Sequence, residues 1–313
     1  MNVLLVKTSS LGDVIHNLPV ASDLRARFPD AHIDWVVEEG FTDIPHLHPG
    51  VRRVIPVALR RWRRTLLNPA TWREMLAFDD TLHAEMYDLV IDTQGLLKSA
   101  LIARRANGRR CGYAASSARE PLAARFYDAT FNVANTLHAV HRNRQLVAQA
   151  TGYRLADALD YGISKDSNAA YTSAQAILLT ATSRDDKLWP EERWIELGRV
   201  LATRGIACRL PAGSSNERDR AERIARAIPD AETLPAMSLR ELAGQLAKAR
   251  LVVGVDTGLV HLAAALNRPT LALFCASDPA LTGVLAGADA INLGDRNRPP
   301  SVFDVLNVAE RWL

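Results

Sequence analysis

Short apolar runs recur along the chain, each closing in Gly, Ser, Thr, Asp or Pro, and between them apolar residues return at helical spacing. That alternation predicts an α/β protein with parallel sheets and right-handed crossovers. In the N-terminal half the predicted strands are Val3–Val6, Ile33–Val37, Val54–Pro56 and Leu89–Asp92. One helix is predicted from about Asp13 to Phe28, with Leu18, Ala21 and Leu24 on one face and Pro29–Asp30 ending it, and another from Leu96 to Ala106. The polar, aperiodic stretch Tyr153–Ser167 predicts a domain boundary, dividing the chain into residues 1–160 and 161–313. In the second half strands are predicted at Ile177–Thr180, Cys208–Pro211, Leu251–Val255 and Thr270–Phe274. Helices are predicted from Pro190 onward and over Glu217–Ala227, Leu239–Lys248 and Gly258–Leu266.

Two stretches carry most of the functional information. VLLVKTSSLGD (3–13) and VVGVDTGLVH (252–261) each run from an apolar strand through small residues into a helix. Ligands of α/β sheets bind at such strand ends, and unpaired N–H groups at a helix start attract phosphate. Two mouths of this kind predict two half-sites facing each other across a cleft. A weaker echo links LVIDTQGLLKSA (89–100) with VVGVDTGLVHLA (252–263).

Composition narrows the class. The 313 residues are 48% hydrophobic and 23% charged, as in globular proteins of two ordinary domains. No apolar run approaches the roughly 20 residues of a spanning helix. The N-terminus reads as a strand without a basic leader, so no secretory signal is expected. Cys111, Cys208 and Cys275 are far apart, in no metal or redox spacing, which suits a reducing compartment.

The net charge of +3 is small, but its distribution is uneven. Between Asp43 and Glu74 stand Arg52, Arg53, Arg60, Arg61, Arg63, Arg64 and Arg73 with no acid among them. Between Asp92 and Glu120 the same holds for Lys98, Arg104, Arg105, Arg109, Arg110 and Arg119. An ordinary solvated surface is one explanation. The other is a wall for a polyanion, since the planar guanidinium fork suits phosphate and carboxylate.

Individual residues suggest chemistry. Asp13 opens a helix, so it can be a cap; it is equally a carboxylate able to take a proton from a hydroxyl. Lys7 can hold an acidic group nearby. Asp256, Thr257 and Gly258 would let an anion approach backbone amides, with His261 one turn on, unless that histidine belongs to the core. Thr182, Ser183 and Lys187 offer hydroxyls and a point charge for a diphosphate. Glu217 follows a strand and a Gly-Ser-Ser loop, the position of a ribose contact in dinucleotide sites. P-loop, G-x-G-x-x-G, H-E-x-x-H and D-x-D signatures are missing, so no metal and no cofactor are expected.

The segments VKTSSLGDVIHNLP, WVVEEGF, VIPVALRRWRR, DTQGLLKSA, AREPLA, TSRDDKLWPEERW and VDTGLVHLAAALNRPT occur in this order across nearly the whole chain. Together they resemble the bacterial lipopolysaccharide heptosyltransferases of glycosyltransferase family 9, and TSSLGD and RRWRR are closer to the type I than the type II members. The resemblance implies a GT-B fold of two facing Rossmann-like domains, acceptor on the first and ADP-heptose on the second. It implies that Asp13 is the general base. Thr182, Ser183, Lys187, Glu217, Met237, Asp256, Thr257, Gly258 and His261 would serve the donor, with Glu217 on ribose and Met237 on adenine. Lys7, by its position beside Asp13, and Arg60, Arg61, Arg63, Arg64, Lys98, Arg119 and His138, by the resemblance, fall on the acceptor side.

The activity implied is inverting transfer of L-glycero-D-manno-heptose to the first Kdo of Kdo2-lipid A. The enzyme would be peripheral on the cytoplasmic face of the inner membrane, with no nucleic-acid partner. A heptosyltransferase with a later acceptor, a two-domain sugar-nucleotide epimerase and a two-domain solute-binding protein are the alternatives. The last would need a signal peptide and gives the arginines no task.

Overall fold

A computed structural model describes residues 1–163 and 174–313, and the chain divides into two compact units, Met1–Ile163 and Ser164–Leu313. The predicted boundary stretch Tyr153–Ser167 has no regular element over 153–163, and 164–167 lies outside the described residues.

The first unit opens with strand β1 (Asn2–Val6), helices α1 (Leu11–Ile15) and α2 (Leu18–Arg27), β2 (His32–Glu38) and α3 (Asp43–Leu47). It continues with β3 (Val51–Val57), α4 (Leu59–Trp62), α5 (Pro69–His83), β4 (Met86–Asp92) and α6 (Leu97–Arg105). It closes with β5 (Asn107–Tyr113), β6 (Ala129–Phe131) and α7 (Ala139–Thr151). The strands form one parallel sheet in the order β3-β2-β1-β4-β5-β6. Val3, Leu4, Leu5 and Val6 are fully buried, because helices cover both faces of a parallel sheet. The single helix expected over 13–28 is two helices. Pro19, which lacks an amide N–H, fits only the first turn of a helix, so α2 restarts after Asn17.

The second unit repeats the order. Its elements are β7 (Gln175–Leu179), α8 (Glu191–Thr203), β8 (Ala207–Leu210), α9 (Ser215–Arg226), β9 (Glu232–Thr233) and α10 (Leu239–Lys248). Then follow β10 (Leu251–Val255), α11 (Gly258–Ala265), β11 (Thr270–Leu273), α12 (Pro279–Thr282), β12 (Ala290–Leu293) and α13 (Val302–Ala309). The sheet order β12-β11-β10-β7-β8-β9 is again parallel throughout. Counted within its own unit, each sheet reads 3-2-1-4-5-6, the doubly wound order of dinucleotide-binding folds. β4 and β10 therefore hold the same place in their sheets. The echo between 89–100 and 252–263 is one of topology, and the counterpart of the 252–261 strand is β4, not β1.

Burial of charge within the first sheet decides part of its stability. Asp34 on β2 is fully buried, yet Arg52 grips it through Nε at 2.9 Å and Nη2 at 2.8 Å, Arg53 Nε donates at 3.1 Å and Tyr87 Oη at 2.8 Å. Burial disfavours the carboxylate, but Arg52, Tyr87 and Arg53 hold its pKa below the usual range. A depressed folded-state pKa adds stability above the unfolded value of about 3.9 and loses it as pH falls through the folded value. Asp34→Asn should therefore lower unfolding free energy by about 3 kcal/mol at neutral pH, with the deficit against wild type shrinking in acid. Urea unfolding at both pH values checks this, and an unchanged midpoint would reject the network as a stabiliser.

Candidate active site

In a doubly wound sheet the crevice opens where neighbouring strands send their helices to opposite faces. In the first unit that point lies between the carboxyl ends of β1 and β4. Gln94, just past β4, bridges it: its Oε1 accepts the N–H of Thr8 at 2.7 Å, the Thr8 hydroxyl at 3.0 Å and the N–H of Ser9 at 3.3 Å. Lys7 is buried and points its ammonium across the same gap, to the Thr93 carbonyl at 2.8 Å and Asn143 Oδ1 at 3.4 Å. Tyr113 Oη donates to that Asn143 oxygen at 3.1 Å.

Asp13 stands in the first turn of α1 and does cap it. Its Oδ2 accepts the Ser10 N–H at 2.9 Å and the Ser10 hydroxyl at 3.0 Å. Arg119 Nη1 lies 4.0 Å from the same oxygen. The carboxyl also lines a small recess with Lys7, Gln94, Tyr113, Arg119 and Arg142. Burial works against its ionisation, but Lys7, the Ser10 N–H and Arg119 outweigh it and hold the pKa below the ordinary value. Burial in turn lowers the Lys7 pKa, against the pull of Asp13 and Asp92. Capping and a poised carboxylate thus coexist in one residue.

Lys98 reaches the same loop, donating to Ser9 Oγ at 3.0 Å. His138 caps α7 by accepting the Val140 N–H at 3.2 Å, and its ring lies 5.3 Å from that of His16. Arg60, Arg61, Arg63 and Arg64 lie apart, on and just after α4. The stretch around them holds no acid, yet Arg61 pairs with Glu39 at 3.0 Å and Glu74 at 2.8 Å from outside it. Arg52 and Arg53 likewise find Asp34, Arg105 finds Asp79 and Arg110 finds Asp128. Arg63 and Arg64 are exposed and make no ion pair among the described residues, and Arg60 lies over the Phe41 ring at 5.3 Å. Gln94, Tyr113, Arg142 and Asn143 were not singled out by sequence. Only Gln94 carried a signal, as part of the Asp-Thr-Gln-Gly echo.

The second unit builds its crevice from the same strand positions, β7 and β10. Thr182 Oγ1 donates to the Asp256 carbonyl at 2.8 Å, tying the two strand ends. Asp256 Oδ2 accepts Lys187 Nζ at 2.6 Å and the Ser277 hydroxyl at 2.6 Å. Lys187 is therefore a paired charge, held by a carboxylate 69 residues away. Thr257 and Gly258 open α11 half-buried, His261 is buried within it, and Ser183 is exposed. Glu217 Oε2 accepts the N–H groups of Gly213 at 2.8 Å and Ser214 at 3.1 Å, capping α9. Met237 is half-buried before α10. Among the described residues, neither Glu217 nor Met237 hydrogen-bonds to the Asp256 cluster.

A recess with an ionised carboxylate in one Rossmann-like unit and a Lys–Asp–Thr strand-end cluster in the other suits a transferase acting on an activated, anionic donor. Comparison with known proteins decides the family. The model of glycosyltransferase family 9 (heptosyltransferase) matches residues 75–307. The chain belongs to glycosyltransferase family 9. This family 9 transferase is 48% identical to lipopolysaccharide heptosyltransferase 1 of Escherichia coli strain K12, over 90% of either chain. It superposes on the E. coli heptosyltransferase WaaC with ADP-2-deoxy-2-fluoro heptose at a TM-score of 0.90 and 42% identity, covering 99% of both chains. Against lipooligosaccharide heptosyltransferase 2 of Haemophilus influenzae identity is 24%, over 91% of this chain and 86% of that one. The architecture is that of the GT-B class, with two six-stranded parallel sheets.

If Lys7 holds Asp13 ionised, Lys7→Met should raise the Asp13 pKa. Carboxyl-carbon NMR titration reads this directly, and an unmoved titration would show the two groups to be uncoupled.

Proposed function

We propose that this family 9 enzyme transfers L-glycero-D-manno-heptose from ADP-heptose to the first Kdo of Kdo2-lipid A. It would do so with inversion, at the cytoplasmic face of the inner membrane. The observation that carries the reading is Asp13, a carboxylate kept ionised beside Lys7 and Arg119 in the recess at the β1–β4 crevice. The greater identity to a type 1 than to a type 2 relative supports the first Kdo over a later acceptor.

In this mechanism an acceptor hydroxyl sits against Asp13 and attacks the anomeric carbon as its proton passes to the carboxylate. The bond from that carbon to the β-phosphate oxygen breaks, and ADP leaves with the electron pair. A low carboxylate pKa makes a weak base, so proton removal is late and placement matters more than base strength. Lys187 compensates the diphosphate, exchanging or sharing its contact with Asp256. The start of α11 at Thr257 and Gly258 offers unpaired N–H groups to the same anion. Glu217 keeps Oε1 for a ribose hydroxyl while Oε2 caps α9, and Met237 packs on adenine. Arg63 and Arg64, without internal partners, are the free cations for acceptor phosphates and carboxylates, together with Lys98. No metal is required, since Lys187 and the helix start supply the positive charge.

Asp13→Asn should cost about 10²–10⁴-fold in kcat while leaving ADP affinity and the melting temperature near wild type. Mass-spectrometric detection of heptosylated acceptor is the assay. Near-wild-type turnover would return Asp13 to a purely capping role, and release of free heptose or an epimer without acceptor would favour the epimerase reading.

Arg63→Ala with Arg64→Ala should raise the acceptor KM by about tenfold or more, a loss of roughly 1.4 kcal/mol or above, with the ADP-heptose KM unchanged. Arg61→Ala should in addition lower thermal stability, because it frees Glu39 and Glu74. Equal rises in both KM values for the Arg63/Arg64 variant would remove the cluster from the acceptor site.

A further inference from the structure

The α4–α5 turn holds apolar side chains in water by design of its hydrogen bonds. Leu67 is 100% exposed, Leu76 61%, Trp72 53% and Leu66 47%. Trp72 and Leu76 are one turn apart on α5 and share a face, opposite the buried Thr71 and Leu82 and the inward-packed Met75 and Phe78. Trp72 Nε1 donates to the Leu66 carbonyl at 2.8 Å, which fixes the indole against the turn bearing both leucines. Thr65 and Thr71 hydroxyls join at 2.9 Å, and Asn68 Oδ1 caps α5 by accepting the Ala70 N–H at 2.9 Å. Glu74 takes Arg61 and the Trp62 indole, each at 2.8 Å, and so clamps α4 to α5. The four exposed apolar groups therefore cluster on one braced turn and the first two turns of α5.

Charge surrounds the cluster. Arg60, Arg63, Arg64 and Arg73 are exposed, and none of them makes an ion pair among the described residues. Glu74 and Glu39 are engaged by Arg61, and Glu38 accepts the Arg60 backbone N–H at 2.9 Å. Leucine and tryptophan projecting from a turn and the helix that follows it, ringed by arginines, complement an interface whose headgroups are negative and whose interior is hydrocarbon. A second copy of this chain would bring the same four unpaired arginines against their equivalents, which opposes self-association through this face.

We propose that Leu66, Leu67, Trp72 and Leu76 insert into an anionic phospholipid surface, with Arg60 and Arg73 on the headgroups and Arg63 and Arg64 left for the acceptor, so that α5 lies in the plane of the membrane. The inference rests on the reading above in that a lipid-borne acceptor gives the docking its purpose, and it names the surface that meets the bilayer.

Cosedimentation of the full chain with vesicles of phosphatidylethanolamine and phosphatidylglycerol, and with vesicles of phosphatidylcholine alone, tests it. Wild type should bind the anionic vesicles, more weakly as salt rises, and bind the neutral ones far less. Leu67→Gln with Leu76→Gln should reduce partitioning by about tenfold or more, because two leucines no longer enter hydrocarbon. Brominated lipid should quench wild-type tryptophan fluorescence, and Trp72→Phe should remove that quenching. On a water-soluble, deacylated acceptor the Leu67/Leu76 variant should turn over as wild type does. Unchanged vesicle binding by this variant, equal binding to neutral vesicles, or a shift from dimer to monomer in place of lost lipid binding would overturn the proposal. Absence of transfer by wild type to the soluble acceptor would instead sink the heptosyltransferase reading, leaving the vesicle result to stand.

Discussion

A buried carboxylate at the end of β4 organises the first crevice. Asp92 is fully buried, and four donors fill its two oxygens: the N–H groups of Gln94 at 2.8 Å and Gly95 at 3.2 Å on Oδ1, the hydroxyls of Ser99 at 2.7 Å and Tyr127 at 2.6 Å on Oδ2. Burial pushes its pKa up, so each donor matters to holding the charge. These bonds fix the turn between β4 and α6 and so place Gln94. Gln94 holds Thr8 and Ser9, the loop after β1 leads directly into Ser10, and Ser10 positions Asp13. The geometry of the Asp13 carboxylate is inherited, bond by bond, from a residue buried at the end of β4. Gly112 serves the same arrangement, since a Cβ there would come within 2.2 Å of the Tyr127 ring.

The second unit occupies the same scaffold position with the opposite solution. Asp256 follows β10 as Asp92 ends β4, but its side chain stays 11% exposed, and its partners are a lysine and a serine from neighbouring loops. One aspartate is sealed; the other is held by Lys187 and Ser277 and stays partly open. A repeated fold therefore does not imply repeated chemistry. What differs is whether the strand-end carboxylate finds its donors within its own turn or borrows a cation from across the crevice.

Legibility in the sequence followed the same division between local and distant partners. β10 and α10 match their predicted bounds to the residue, because Leu251–Val255 is a continuous apolar run and α10 opens on a Ser238–Glu241 capping box. β5 went unmarked because Asn-Gly-Arg-Arg-Cys-Gly-Tyr lacks an apolar run and its Gly108 takes a positive φ of 151°. α7 was missed because its start is polar, with Arg142 and Asn143 facing the recess and not solvent. Asp13, Lys7, Lys98 and Arg119 lie around one loop; the strand end and helix start pointed to Lys7 and Asp13, whereas Lys98 and Arg119 were chosen only through the resemblance. Tyr113 and Asn143 carried no local signal and Gln94 only the echo, since their value lies in partners 30 to 136 residues away.

The arginines show why local charge counting misleads and how geometry repairs it. Arg52 and Arg61 sit in a window without acids, yet Asp34 and Glu39 reach them from β2 and the turn after it, and Arg110 finds Asp128 across the sheet edge. Arg144, only 3% exposed, turns inward to Asp23 and to the carbonyls of Ala156 and Ala158, and so ties the last segment of the first unit to α2. Each of these cations is cancelled at short range and contributes little field at a distance. Within the first arginine-rich stretch, subtracting Arg52, Arg53 and Arg61 leaves Arg60, Arg63, Arg64 and Arg73 without an ion pair among the described residues, around the α4–α5 turn. A protein with a net charge of only +3 can thus present a strongly basic face. The position of that face is set less by where arginines occur than by which of them the fold leaves without a carboxylate.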